Sequence, residues 1–192
     1  MSGIKERRER ERARRHQLII TAARELAEAE GWDAVTTRRL AERVEYSQPV
    51  LYSHFSGKDA IVRAVAIDGF GELAARLRRA RLAEPDPRRA LHAVCRAYLD
   101  FAAERPALYQ AMFVMPTDVK FAHAETPPQL RAGFAEFVAC LRPGDERREL
   151  LAEVVWSALH GMTVLSDSGR IPSDGQEERL DLLMTRLADP PH

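Results

Sequence analysis

Apolar residues recur three and four positions apart along nearly the whole chain, the spacing that stacks them on one face of an α-helix. Leu18, Ala22, Leu26 and Ala29, with Ile19, Ala23 and Ala27 beside them, predict a first helix from Arg14 to a stop at Gly31. Thr36 or Thr37 then caps a shorter helix whose inward residues are Leu40, Ala41 and Val44. A third helix covers QPVLYSHF, residues 48 to 55. Ser56 and Asp59 form an S-x-x-D capping box before a long fourth helix to about Leu82, the bridge to a second region. Asp86 and Pro87 open a fifth, in which Leu91, Val94, Cys95, Tyr98 and Ala102 keep the period until Pro106. Ala107 to Met115 make a sixth, Thr117 to Pro127 read as a loop, and Pro128 to Leu141 make a seventh. Leu151, Val154, Val155, Ala158, Met162 and Leu165 mark an eighth, and Leu180, Leu183 and Leu187 a ninth behind a Ser173 to Gln176 capping box. With no strand-like alternation and no fixed repeat, the chain reads as all-α, about nine helices.

Two short helices joined by a tight turn beneath a longer first helix make a helix-turn-helix. In QPVLYSHF, at 100° per residue, Leu51 and Phe55 share the inward face, Pro49 and Ser53 point nearly opposite, and Val50 and Tyr52 flank them. Ser47 is the expected N-cap, and Pro49 in the first turn loses only an amide that no helical carbonyl would have paired. Two residues therefore anchor this helix and the others are presented.

At 192 residues the chain falls between one and two domains on length. Its 29 basic and 29 acidic residues cancel, so a nucleic-acid partner has to show in the local distribution of charge. Residues 1 to 15 carry Lys5, Arg7, Arg8, Arg10, Arg12, Arg14 and Arg15 against Glu6, Glu9 and Glu11, a net +4. This run has no apolar clustering; residues 1–13 read as a flexible solvated tail, with an arm on the DNA backbone or minor groove as the other reading. Cys95 and Cys140 fall inside helices and read as small buried apolar residues, which points to a reducing cytosol rather than a disulfide framework. No apolar run approaches the ~20 residues of a membrane span, so no membrane partner is expected and the protein is placed in the cytoplasm.

Residues 35 to 58, VTTRRLAERVEYSQPVLYSHFSGK, resemble the DNA-binding segment of the tetracycline-repressor (TetR) family of transcriptional regulators. The likeness rests on T-T-R in the second helix, L-Y-x-H-F in the third and Lys58 three residues beyond Phe55, in one ungapped stretch. It implies an all-helical homodimer, with a helix-turn-helix DNA-binding domain at 14–59 and a helical ligand-binding and dimerisation domain at 60–189. The partners it implies are a palindromic double-stranded operator, a small-molecule effector and a second copy joined through the last two helices. Carried over position by position, it makes Arg38 and Gln48 base readers, Pro49 and Val50 contacts to a thymine methyl, and Thr37, Tyr52, His54 and Lys58 phosphate contacts. Ser47 and Ser53 complete the DNA-facing set, Ser53 at an outward position that is often large in the family. Arginine grips guanine and glutamine adenine with two bonds, each pair worth roughly 1 to 3 kcal/mol of discrimination. Glu45 stands in the turn where the family usually has glycine, which implies strain or a different turn and puts a carboxylate near DNA that opposes binding unless a neighbour such as Arg43 neutralises it.

LYQAMF at 108 to 113 and WSALHGMTVL at 156 to 165 resemble one subset of the family's C-terminal domains. Tyr98, Phe101, Met112, Phe113, Met115, Phe134, Phe137, Trp156 and His160 are the candidate lining of an effector pocket. Each also reads as ordinary core, and His160 as a satisfied core histidine. His92 and Cys95 share a helical face without a third ligand, so no metal or other cofactor is assigned. No nucleophile-base pair, phosphate loop or paired carboxylates stand at diagnostic spacing, which argues against an enzyme. The expected function is a ligand-responsive regulator, most often a repressor by the resemblance, released from its operator by a small, apolar molecule. The alternative is a helical ligand- or partner-binding protein of the same fold that reads no operator.

Overall fold

The computed structural model describes residues 2–117, 120, 123 and 125–188. Among these the chain forms nine α-helices and no strand: α1 (Ser2–Glu30), α2 (Thr37–Arg43), α3 (Gln48–His54), α4 (Lys58–Ala83), α5 (Pro87–Glu104), α6 (Pro106–Phe113), α7 (Pro128–Ala139), α8 (Arg148–Asp167) and α9 (Gln176–Ala188). A 3₁₀ turn, Trp32–Ala34, links α1 to α2. The loop expected over Thr117 to Pro127 falls in part outside the described residues, and those described within it are neither helix nor strand.

The first helix starts far ahead of the expected Arg14. Residues 4–15 are helical and exposed on every side, which corrects the reading of 1–13 as a flexible tail. Arginine, lysine and glutamate are strong helix formers, and Lys5–Glu9 and Glu11–Arg15 pair one turn apart, so helicity here needs no apolar face and leaves no periodic signal. Further along, Ile19, Ala23, Leu26 and Ala27 are buried while Leu18, assigned to the same stripe, stays exposed.

The chain divides into two compact units, the first formed by Met1–Gly69 with Arg105–Glu125 and the second by Phe70–Glu104 with Thr126–His192. This departs from the expected single boundary near residue 60, because α6 belongs with the DNA-binding helices. The tie is polar as well as apolar. Arg105, the N-cap of α6, makes no side-chain cap, and the Glu28 carboxylate on α1 accepts the amides of Ala107 (3.1 Å) and Leu108 (3.0 Å) in its place. An anion at a helix N-terminus satisfies donors that no carbonyl of that helix reaches. The indole of Trp32 donates to the Ala107 carbonyl at 2.7 Å. Gly69 on α4 lets α6 approach, since a Cβ there would stand 2.7 Å from both Leu108 Cδ1 and Met112 Sδ.

In the second unit, Leu77, Val94, Cys95, Phe101, Ala152, Val155, Leu159 and Leu180 form the buried interior. Arg76 grips Glu104 with two bonds of 2.6 and 2.8 Å, and Arg81 meets Glu136 at 2.6 Å. The Asp86 carboxylate caps α5 by accepting from Arg89 N at 2.9 Å, as the Asp-Pro signal implies. Two expected capping boxes begin elsewhere. The Gly57 carbonyl accepts the first intrahelical bond of α4, from Ile61 N at 3.3 Å, so the helix starts one residue later than a Ser56 cap implies. Gly175, with φ 76°, precedes α9, where the Arg179 guanidinium holds the carbonyls of Pro172 and Asp174 and delays the start past Ser173. Burial raises the thiols of Cys95 to about 12 and Cys140 to about 11, so both remain protonated, small and apolar.

Candidate nucleic-acid interface

The helix-turn-helix is set by its caps. The Thr36 hydroxyl accepts from Arg39 N at 3.2 Å and starts α2. At its other end Glu45 N bonds to Glu42 O (3.3 Å) and Tyr46 N to Ala41 O (2.9 Å), the paired bonds of a Schellman turn. That turn requires a left-handed residue, and Glu45 supplies it at φ 57°. The same two bonds close α8, where Gly169 takes the left-handed place at φ 67°. The expected neutralisation of Glu45 by Arg43 is absent, since Arg43 pairs with Glu25 of α1 at 3.0 Å.

Ser47 stands at the N-cap of α3 with extended backbone and no side-chain cap bond, and Pro49 sits in the first turn. Leu51 and Phe55 are buried, while Gln48, Pro49, Tyr52 and Ser53 are exposed and Val50 is half-buried. Tyr52 Oη and Thr37 Oγ1 lie 3.4 Å apart, so the two expected phosphate donors form one cluster across α2 and α3. Arg38 is exposed, and its Nε donates to the Glu42 carboxylate one turn away at 3.0 Å. Ser53 Oγ donates back to the Val50 carbonyl at 2.6 Å, so its hydroxyl is spent within α3. Lys58 Nζ donates to the Trp32 carbonyl at 2.6 Å, which fixes the ammonium beside the start of α4.

His54 differs from its outward expectation. It is half-buried, its Nδ1 is enclosed without a hydrogen-bond partner among the described residues, and the His16 ring lies 6.2 Å away. His16 itself stacks on Phe55 at 4.3 Å. Burial, then the charges of His16, Arg12 and Arg15, hold the His54 imidazole below its ordinary value, and burial with Arg12 does the same to His16. The approach of α1 to the end of α3 was not readable from the third helix alone; its trace in the sequence is the spacing of His16 and Ile19 on one face of α1.

The effector candidates split between the units. Met112, Phe113 and Met115 belong to the first, and Tyr98, Phe101, Phe134, Phe137, Trp156 and His160 to the second. There Trp156 Nε1 donates to Tyr98 Oη at 3.1 Å, Phe137 meets the Tyr98 ring edge-on at 6.1 Å, and Phe134 meets Trp156 in the same manner at 6.3 Å. His160 is half-buried, and burial lowers its pKa. An open depression of about 320 Å³ lies instead between α5 and α9, with Arg96, Asp100, Glu177 and Glu178 in its wall. His92 Nε2 lies 3.0 Å from Asp181 Oδ1, and Cys95 of α5 is buried in the core.

Residues 19–65 match the bacterial regulatory proteins of the tetR family, and residues 91–187 match the tetracyclin repressor-like C-terminal domain. The HTH-type transcriptional regulator Rv0681 of Mycobacterium tuberculosis is 30% identical over 88% of this chain and 78% of its own length. The class G tetracycline repressor of Vibrio anguillarum is 47% identical over 24% of this chain and 22% of its own, and the regulator YobS of Bacillus subtilis 30% identical over 53% of either chain. These two matches thus span a fifth to about half of the relatives concerned. Among solved structures, the TetR-family regulator PfmR of Thermus thermophilus superposes with a TM-score of 0.60 at 21% identity, over 92% of this chain and 96% of that one, a likeness of fold.

Proposed function

The chain belongs to the TetR family of transcriptional regulators, and from that premise we propose that it binds a palindromic operator as a homodimer through α3 and releases it when a small, apolar molecule enters the second unit. Relatives of this family are DNA-binding regulators, not enzymes, and among the described residues no helix is long and apolar enough to cross a membrane. The observation that carries the reading is the division of α3: two buried anchors, Leu51 and Phe55, behind an exposed row of Gln48, Pro49 and Tyr52. Gln48 and Arg38 read base edges, Pro49 and Val50 meet thymine methyl groups, and Thr37, Tyr52 and Lys58 set the register on phosphates, with Ser47 beside them. His54 contributes chiefly by packing under His16, and Ser53 by closing the helix on itself.

A two-fold protein calls for a two-fold operator, with recognition helices ~34 Å apart in successive major grooves. The surface for pairing is the outer stripe of α8, where Leu150 (58% exposed), Val154 (51%) and Leu165 (41%) lie in line with Gly161, whose open side has no atom within 4 Å of a would-be Cβ. Leu182 of α9 is exposed too, at 60%. The effector lowers operator affinity only by its preference for the released state, and the Tyr98, Phe134, Phe137 and Trp156 cluster is where such a molecule finds apolar and aromatic surface.

Selection of bound duplexes from a random DNA library, repeated across a salt series, tests the reading. An enriched palindrome is the expected outcome. Sequence-blind retention that vanishes with salt, or no retention, overturns it in favour of a ligand- or partner-binding protein of this fold.

A further inference from the structure

The N-terminal third of α1 has no place in the hydrophobic core. Residues 4–15 are helical, exposed all round, and at 1.5 Å per residue extend roughly 18 Å beyond the packed part of the helix. Their charge is ordered. Arg8, Arg12 and Arg15 follow one another at intervals of four and three residues, and Ile19, fully buried, continues the same row four residues on. Glu6 lies on the far side of the helix, while Glu9 and Glu11 lie at the margins of the row and pair with Lys5 and Arg15.

The buried end of this row fixes its direction. His16, one turn beyond Arg12, stacks on Phe55, the C-cap of α3, and stands 6.2 Å from His54, the last residue of α3. The end of the arginine row next to His16 therefore lies near the C-terminal end of the helix that presents Gln48 and Tyr52. The charges of Arg12 and Arg15 are near enough to depress the His54 imidazole, which agrees with that placement.

We propose that the Arg8–Arg12–Arg15 face of α1 is a second DNA-binding surface that lies along the phosphates flanking each half-site. The inference rests on the operator-binding reading of α3 and extends it beyond the helix-turn-helix. Duplex DNA carries one charge per ~1.7 Å of its axis, so an ~18 Å cationic rod continuous with the recognition surface meets a dense row of complementary charge. The Glu11–Arg15 pair does not oppose this, because exposed pairs one turn apart are weak and exchange readily for a phosphate. The contact is with the backbone, so it adds affinity and footprint without adding sequence preference.

The test uses the full chain and two duplexes: the palindrome enriched by the selection with about one helical turn, ~10 base pairs, of unrelated DNA on each side, and the same palindrome trimmed to its own ends. Affinities are measured across a salt series for the wild type, for the triple variant Arg8→Gln, Arg12→Gln, Arg15→Gln, and for the same three positions changed to lysine. The flanked duplex is expected to bind the wild type tighter than the trimmed one. The glutamine variant should lose that difference and lower the slope of log K against log salt by roughly 2 to 3, at about 0.9 per lost phosphate contact. The lysine variant should keep the wild-type slope. A wild type that binds the palindrome with no preference for flanks, a glutamine variant with an unchanged slope, or a lysine variant that loses it with the glutamine one, overturns this inference alone. A wild type that enriches no palindrome overturns the operator reading, and this one with it.

Discussion

Glu45 holds a left-handed backbone at φ 57° because the Schellman turn after α2 demands it, and a side chain pays there in contact between Cβ and the backbone. Glu45→Gly is expected to stabilise the protein by about 1 kcal/mol, net of the extra freedom glycine gives the unfolded chain, with a rise in the urea midpoint at unchanged slope. A fall in the midpoint would mean that the carboxylate contributes more than the turn costs. Gly69 gives the opposite sign. Its φ is ordinary for a helix, but a methyl would stand 2.7 Å from Leu108 Cδ1 and Met112 Sδ, both buried, so Gly69→Ala should cost roughly 1 to 3 kcal/mol by the same measurement. One glycine is missing where backbone geometry wants it, and another stands where only space requires it.

The helices themselves were largely legible from periodicity, because burial on one side is what the three-four spacing records. In α3 that spacing separated Leu51 and Phe55 from the exposed Gln48, Pro49 and Tyr52, and the structure keeps the division. Tyr52→Ala should accordingly abolish operator binding in a mobility-shift titration while the far-ultraviolet circular dichroism and the dimer stay as in the wild type; normal binding would displace the recognition face from α3. Two things escaped the pattern. Residues 4–15 of α1 are polar all round, so their helicity has propensity and i,i+4 pairs behind it but no apolar period to reveal it. His54 was read as outward from its own helix, and its enclosure comes from His16, which lies 38 residues earlier on another helix. Periodicity tells which face of a helix is covered, never what covers it. The exposed row on α8 poses that question for pairing: Val154→Glu should shift the protein from dimer to monomer in sedimentation analysis, and a persisting dimer would move the interface off this row.

His16, His54 and His160 all bind protons less readily in the folded protein than the ordinary 6.5, burial being the main cause in each. The unfolded chain therefore takes up protons first as pH falls. Stability from these groups is complete above about 6.5, declines as pH drops through the folded-state values, and levels off below them. The melting temperature should fall between about pH 7 and pH 5, and His54→Gln should make that fall shallower; an equal slope in the variant would place the proton uptake elsewhere. The insertion of α6 into the first unit has a further consequence, for the order in which the protein is made. A ribosome that has released residues 1–69 has not yet released Ala107 and Leu108, whose amides occupy the Glu28 carboxylate and whose carbonyl at Ala107 receives the Trp32 indole. At roughly 5–20 residues per second the DNA-binding helices wait some seconds for the segment that completes them, and the intervening α5 emerges first. The head of this regulator is thus finished only after synthesis of its other half has begun, with α5 already made and α7 to α9 still to come.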